Sequence, residues 1–184
     1  MQGTRRHTVF IVGDSQVGKT SIARRVFKNR DLIFVSSVNG ATEYQVSIQG
    51  GEFPTRILEI RNSAFLTENA IRFDTERDFA FFCYAIDDPE SFQHVAERWI
   101  PLFKERVCDT MTMVLIGNKR DLRRKAEVIH NLAERGLQPV SRNQGTEILH
   151  LHDAIDAFFE SAINDFKALD QVTEIINDTI LNYN

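Results

Sequence analysis

The stretch Gly13 to Ser21 reads GDSQVGKTS and follows directly on the apolar run HTVFIVG. Glycines at 13 and 18, then Lys19 and Thr20, satisfy the pattern Gly-x-x-x-x-Gly-Lys-Thr where a strand gives way to a helix. At such a junction the backbone N–H groups of Asp14, Ser15, Gln16, Val17 and Gly18, with the positive end of the helix, surround phosphate oxygens. Lys19 reaches the terminal phosphates, the Thr20 hydroxyl ligates Mg²⁺, and Ser21 completes the loop. The alternative is an ordinary Gly-rich turn.

Working outward from this loop, apolar β-rich runs recur at Thr8 to Val12 (TVFIV), Phe79 to Ile86 (FAFFCYAI) and Thr112 to Gly117 (TMVLIG). Each is apolar on both faces, as a parallel strand covered by helices requires. Glu43 to Ile60 holds two strand-like segments around Gly50-Gly51, a hairpin signal. Helical patterns fall at Lys19 to Phe27, Pro89 to about Arg106, Arg124 to Arg135, and from Asp153 onward, where Ile155, Phe158, Phe159, Ala162, Ile163, Phe166 and Leu169 recur at helical spacing. The sequence therefore predicts an α/β three-layer sandwich with a mostly parallel six-stranded sheet and one antiparallel edge strand. Residues 1–184 are read as a single domain, with 170–184 as a C-terminal helical extension that docks back on the domain or on a partner.

Which nucleotide such a loop takes is suggested about 100 residues downstream, where a doubly wound sheet returns a second loop to the same crevice. VLIGNKRDL sets Asn118, Lys119 and Asp121 straight after a buried strand. The Asp121 carboxylate accepts two hydrogen bonds from the N1–H and exocyclic amine of guanine, a donor pair that adenine lacks. The stem of Lys119 lies along the base, and Asn118 ties this loop to the phosphate loop.

The order GDSQVGKT, FAFFCYAIDDPESF, WIPLFKER and VLIGNKRDL resembles the Ras superfamily of small GTPases, nearest the Rho and Miro branch, from Thr8 to about Phe166. The resemblance implies a P-loop small-GTPase-like fold, GTP or GDP with Mg²⁺ as ligands, and effector or scaffold proteins as partners. It also implies a third base-contacting loop, carried over onto PVSRN, with Ser141 and the backbone N–H of Arg142 near the guanine oxygen. Ser141 is equally readable as a turn residue.

The resemblance breaks at the switching parts. The Thr that reports the γ-phosphate falls on Val38 or Asn39, with Ser36, Ser37 and Thr42 out of register. The second switch, Asp-x-x-Gly-Gln, meets ILEIRNSAFLTEN in two alignments: Glu59 for the Asp with Asn62 at the Gly, or Arg61 with Ala64. Both lose the Gly, and both put Ser63 or Phe65 where Gln orients the attacking water. Gln16 points near the β- and γ-phosphates and either crowds an arginine finger or stands in as a water-orienting amide. The expected function is guanine-nucleotide binding with weak or absent hydrolysis, exerted through protein partners, with no catalytic residue assigned. The alternatives are a conventional GTP-hydrolysing switch with substitute residues and, last, a P-loop ATPase or kinase.

Composition narrows the remaining classes. A net charge of −4 gives no basic face for nucleic acid, and the run Lys119 to Lys125 reads as solvated loop charge. Two cysteines make no disulfide framework, and Cys83 reads as core. The expectation is a cytoplasmic protein without a direct membrane anchor, since the C-terminus carries no Cys box and the N-terminus no acylation signal. His150 and His152 read as helix-start residues rather than metal ligands, Trp99 as core, and Glu68, Asp74, Glu76 and Asp78 as a solvated helix face.

Overall fold

The computed structural model describes residues 7–27, 32–47, 54–69, 71, 78–108, 110–162, 165, 167, 169–171, 173, 174 and 176. Seven strands form one sheet in the order β2-β3-β4-β1-β5-β6-β7: β1 Thr8–Val12, β2 Ile33–Val38, β3 Ala41–Val46, β4 Thr55–Ile60, β5 Phe79–Ala85, β6 Thr112–Asn118 and β7 Ala157–Glu160. Pairing is parallel from β4 through β1, β5 and β6 to β7, and antiparallel in the β2-β3-β4 portion at one edge. This is the mostly parallel α/β sheet expected, with one strand more than six. Neither β2 nor β7 is among the runs that the sequence marks as strands, and β2 forms from the segment before the hairpin. Its register slips between Phe34 and Ser36. Such a bulge blunts an edge that carries the exposed side chains of Ile33, Phe34, Val35 and Val38.

Alternation along the central strands sorts the core into two layers. Phe10, Val12, Phe82 and Tyr84 face one side and Val9, Ile11, Phe81 and Cys83 the other. The first layer packs on α3 Pro89–His94, a π turn Val95–Trp99 and α4 Ile100–Arg106, where Phe103 meets the rings of Phe10 and Phe82 edge-on at 5.4 Å each. The second packs on α1 Lys19–Val26 and on Leu169 and Ile176. The described residues from 167 to 176 are helical. Thr173 donates its hydroxyl to Val26 O at 2.8 Å, and Asp170 pairs with Arg25 at 3.3 Å.

The remaining helices are α2 Ala64–Glu68, α5 Ala126–Ala133 and α6 Arg142–Leu151, with a 3₁₀ turn at Arg120–Arg124. The helix expected from Asp153 is corrected: Ala157–Glu160 is β7, parallel to β6 from Val114↔Ala157 to Gly117↔Glu160. Ile155, Phe158 and Phe159 fit a helical spacing, but a four-residue apolar run fits a strand equally, and the open edge of β6 decides. Asp156 anchors the entry, accepting from Met113 N at 2.7 Å and donating its own N–H to Met113 O at 2.8 Å. His150 and His152 accordingly stand at the end of α6, not at a helix start. Asp78 is buried and accepts from Thr8 N at 2.7 Å, so it belongs to no solvated face. Gly50, Gly51, Asp74 and Glu76 lie outside the described residues.

Candidate nucleotide-binding site

The loop from Gly13 to Gly18 leaves β1 and enters α1 through a backbone that needs glycine. Gly13 has φ 150° and Gly18 φ 94°. A Cβ at Gly13 would lie 2.2 Å from Cys83 O, and one at Gly18 2.1 Å from Asn118 Nδ2. Gln16 holds φ 65°, a left-handed conformation that side chains seldom adopt. Ser15 and Gln16 are exposed, while Val17 is fully buried beneath them.

Lys19 folds back over the loop, donating to Gly13 O at 2.9 Å and to Asp14 O at 2.5 Å. Burial pushes its ammonium below the ordinary lysine value, and the nearby Glu59 and Asp14 carboxylates offset part of that. Behind it the buried Cys83 thiol is pushed up to about 12 and stays protonated. The Asp14 side chain turns away from the loop interior: Oδ1 accepts from Trp99 Nε1 at 2.7 Å and Oδ2 from His94 Nδ1 at 2.5 Å.

Thr20 donates its hydroxyl to Glu59 Oε2 at 2.9 Å. Of the two second-switch alignments, it is therefore Glu59 that places a carboxylate beside Thr20. Arg61 turns to Thr42, donating to its hydroxyl at 3.0 Å. Glu59 is buried, its Oε1 has no hydrogen-bond partner among the described residues, and burial raises its carboxyl above the usual value. An orphaned carboxylate oxygen beside a hydroxyl suits a hard divalent cation, so Thr20 and Glu59 fit Mg²⁺.

Downstream of Glu59 the second-switch positions are engaged within the protein. Asn62 Oδ1 accepts from Ala64 N at 3.0 Å, and the Ser63 hydroxyl accepts from Arg98. Of the first-switch positions, Val38 ends β2, Asn39 sits in the turn at φ 45°, and Thr42 is buried in β3 opposite Glu59.

The second loop meets the first through Asn118. Its Nδ2 donates to Val17 O at 2.9 Å, and its Oδ1 accepts from Ser161 Oγ at 2.8 Å, all three groups being buried. Lys119 follows in a left-handed conformation, φ 60°, with its Nζ 3.4 Å from Asp87 Oδ1. Asp121 is exposed in the first turn of Arg120–Arg124. Between Gly18 and Ser21 on one side and Asn118, Lys119, Asp121 and Leu122 on the other opens a cavity of about 380 Å³, within the range of a nucleobase or small-ligand pocket.

Ser141 stands as the turn residue of its second reading. Ser141 is the N-cap of α6, in a reciprocal capping box with Gln144, and Arg142 lies beside Glu160 and over the Phe158 ring. The loop against Asn118 is instead the one after β7, where Ser161 also donates its N–H to Gly117 O at 2.9 Å and accepts from Arg120 N at 2.9 Å. The signal was Glu160-Ser161-Ala162 at the end of an apolar run. It was hidden because that run was read as helix, and the strand that delivers it was therefore missing.

A profile of the Ras family matches residues 8–181. The chain belongs to the Ras family. Its similarity to curated members points to the Rho branch. It is 33% identical over 106 residues to "GTP-binding protein rhoC" of Emericella nidulans, covering 58% of this chain and 37% of that protein's length. It is 28% identical over 152 residues to "GTP-binding protein Rho1" of Kluyveromyces lactis, covering 82% and 73% of the two chains. It is 28% identical over 178 residues to "Rho-related GTP-binding protein RhoD" of Homo sapiens, covering 87% and 82%. Among the described residues, no helix of this Ras-family chain is long and apolar enough to cross a membrane.

Proposed function

We propose that this Ras-family chain binds GTP or GDP with Mg²⁺, hydrolyses GTP very slowly or not at all, and works by presenting a nucleotide-bound surface to protein partners. The observation that carries the binding half is the Asn118 bridge, which joins the phosphate loop at Val17 to the base-reading loop and to Ser161. In this reading the backbone of Gly13 to Gly18 with Lys19 and Ser21 holds the phosphates, and Asp121 with Lys119 selects guanine. Thr20 and Glu59 hold Mg²⁺, which when bound neutralises phosphate charge.

The hydrolysis half rests on the groups after Glu59. Water attack needs an amide or equivalent group aimed at the γ-phosphate, worth several kcal/mol together with an arginine finger. Ser63 stands at that position and its hydroxyl is already occupied by Arg98.

Two measurements test this reading. Titration with a fluorescent guanosine diphosphate, competed by GTP and by ATP, should give selective displacement by GTP; equal displacement by ATP would favour the ATPase or kinase alternative. Single-turnover hydrolysis of loaded GTP should be barely detectable. Rates like those of ordinary small GTPases would instead mark a conventional switch.

A further inference from the structure

We infer that the π turn Val95–Trp99 is a positioning element of the nucleotide site, clasping the phosphate loop through Asp14 and the second-switch segment through Ser63. For its effect on nucleotide the inference rests on the reading above; for its effect on the loop it stands alone.

The geometry follows from one inserted residue. In an α-helix, residues five apart point about 140° away from each other. A turn closed by i→i+5 hydrogen bonds restores them to one face, and such turns recur at functional positions. His94 and Trp99 are five apart and span the π turn, and both reach the same carboxylate: His94 Nδ1 on Asp14 Oδ2 at 2.5 Å, Trp99 Nε1 on Oδ1 at 2.7 Å. A carboxylate only accepts, so both nitrogens carry their protons toward Asp14. Between them Arg98 donates to the Ser63 hydroxyl at the start of α2.

Three contacts made by the turn and its N-cap are thereby fixed to a rigid support. Trp99 is 1% exposed, and Val95, Ile100 and Phe103 lock the helix onto the sheet. With its side chain held from behind, Asp14 keeps the backbone from 14 to 18 in the left-handed course seen at Gln16 and Gly18 before any phosphate arrives. That preorganisation spares the ordering cost that a free loop would meet on binding.

The experiment measures amide hydrogen exchange in the nucleotide-free protein, and release of fluorescent guanosine diphosphate in the loaded one. The variants are Trp99→Phe, His94→Ala and Arg98→Ala. Loss of one charge-assisted hydrogen bond corresponds to about a tenfold change or more. Trp99→Phe and His94→Ala should each speed exchange at Ser15 to Gly18 about tenfold and release of the nucleotide by a similar factor, with Phe81 to Tyr84 unchanged. Arg98→Ala should speed exchange at Ala64 to Leu66 and leave Ser15 to Gly18 as they were. Unchanged loop exchange in the first two variants, or a uniform rise across the sheet, overturns the inference. Should Trp99→Phe fold poorly, the half-exposed His94 gives the decisive variant. If the wild-type chain takes no guanine nucleotide, the proposed function fails while the exchange data still decide the clasp.

Discussion

Thr20 and Glu59 face each other across α1 and β4, hydroxyl to carboxylate at 2.9 Å, with the second carboxylate oxygen buried and unpartnered among the described residues. In the proposed reading this pair holds the cation. Burial holds the Glu59 carboxyl above its usual 4.5, while the Thr20 hydrogen bond and the Lys19 charge offset part of the rise. The folded state therefore binds this proton more tightly than the unfolded chain does. Stability from this group is greatest below 4.5, falls as pH rises from 4.5 through the raised value, and is flat beyond it. Glu59→Gln should stabilise the metal-free protein at neutral pH and lose that advantage at acid pH. With Mg²⁺ and nucleotide present the order should reverse, which melting curves across pH with and without Mg²⁺ will test.

Lys19→Ala should lower affinity for guanosine diphosphate at least 100-fold, of order 3 kcal/mol for a charge-assisted contact to phosphate, while the fold persists. Its Nζ contacts in the structure are to carbonyls of its own loop, Gly13 and Asp14, so its removal breaks no link between elements. Fluorescent-nucleotide titration beside a melting curve measures both. Binding that survived unchanged would move the phosphate site elsewhere.

Asn118→Ala removes two buried hydrogen bonds and leaves Val17 O and Ser161 Oγ to find other partners. A cost of about 2–3 kcal/mol in unfolding free energy is expected, against about 1 kcal/mol for Ser161→Ala, which cuts one of the two. Urea unfolding of both variants gives the comparison. Equal costs would mean that the Val17 arm contributes nothing.

Gly18→Ala should be more damaging than any surface change of similar size. The new methyl would sit 2.1 Å from Asn118 Nδ2 at a φ of 94°, so it must displace the amide that joins the two loops. We expect a loss of about 2 kcal/mol or more together with most of the nucleotide affinity. Gly136→Ala provides the control, because it shares a positive φ of 69° but meets nothing within 4 Å and should cost only its backbone strain.

What the sequence revealed followed from how local each signal is. Thr8–Val12 and Lys19–Val26 were legible because an apolar run, two glycines and a lysine specify strand, turn and helix within twenty residues. Asn118 was legible as a tie because its neighbours at the end of β6 are unambiguous. β7 was not, since AFFE carries both periods and only the vacant edge of β6 selects between them. With β7 unseen, Ser161 has no place beside Asn118 in the sequence reading. β2 escaped for a related reason: Ile33 to Val38 gains its strand character from pairing with β3, and its side chains are mostly exposed. The Asp14 clasp has no sequence signature at all, because it depends on a one-residue insertion in the turn of a helix about eighty residues away.

The indole that grips Asp14 belongs to the sole tryptophan of the chain. Its indole emission therefore comes from one known place, one hydrogen bond from the Asp14 carboxylate, and needs no attached dye. Any motion of that loop that lengthens the bond will register as a change in colour or brightness of the native molecule, so the fold carries its own optical gauge.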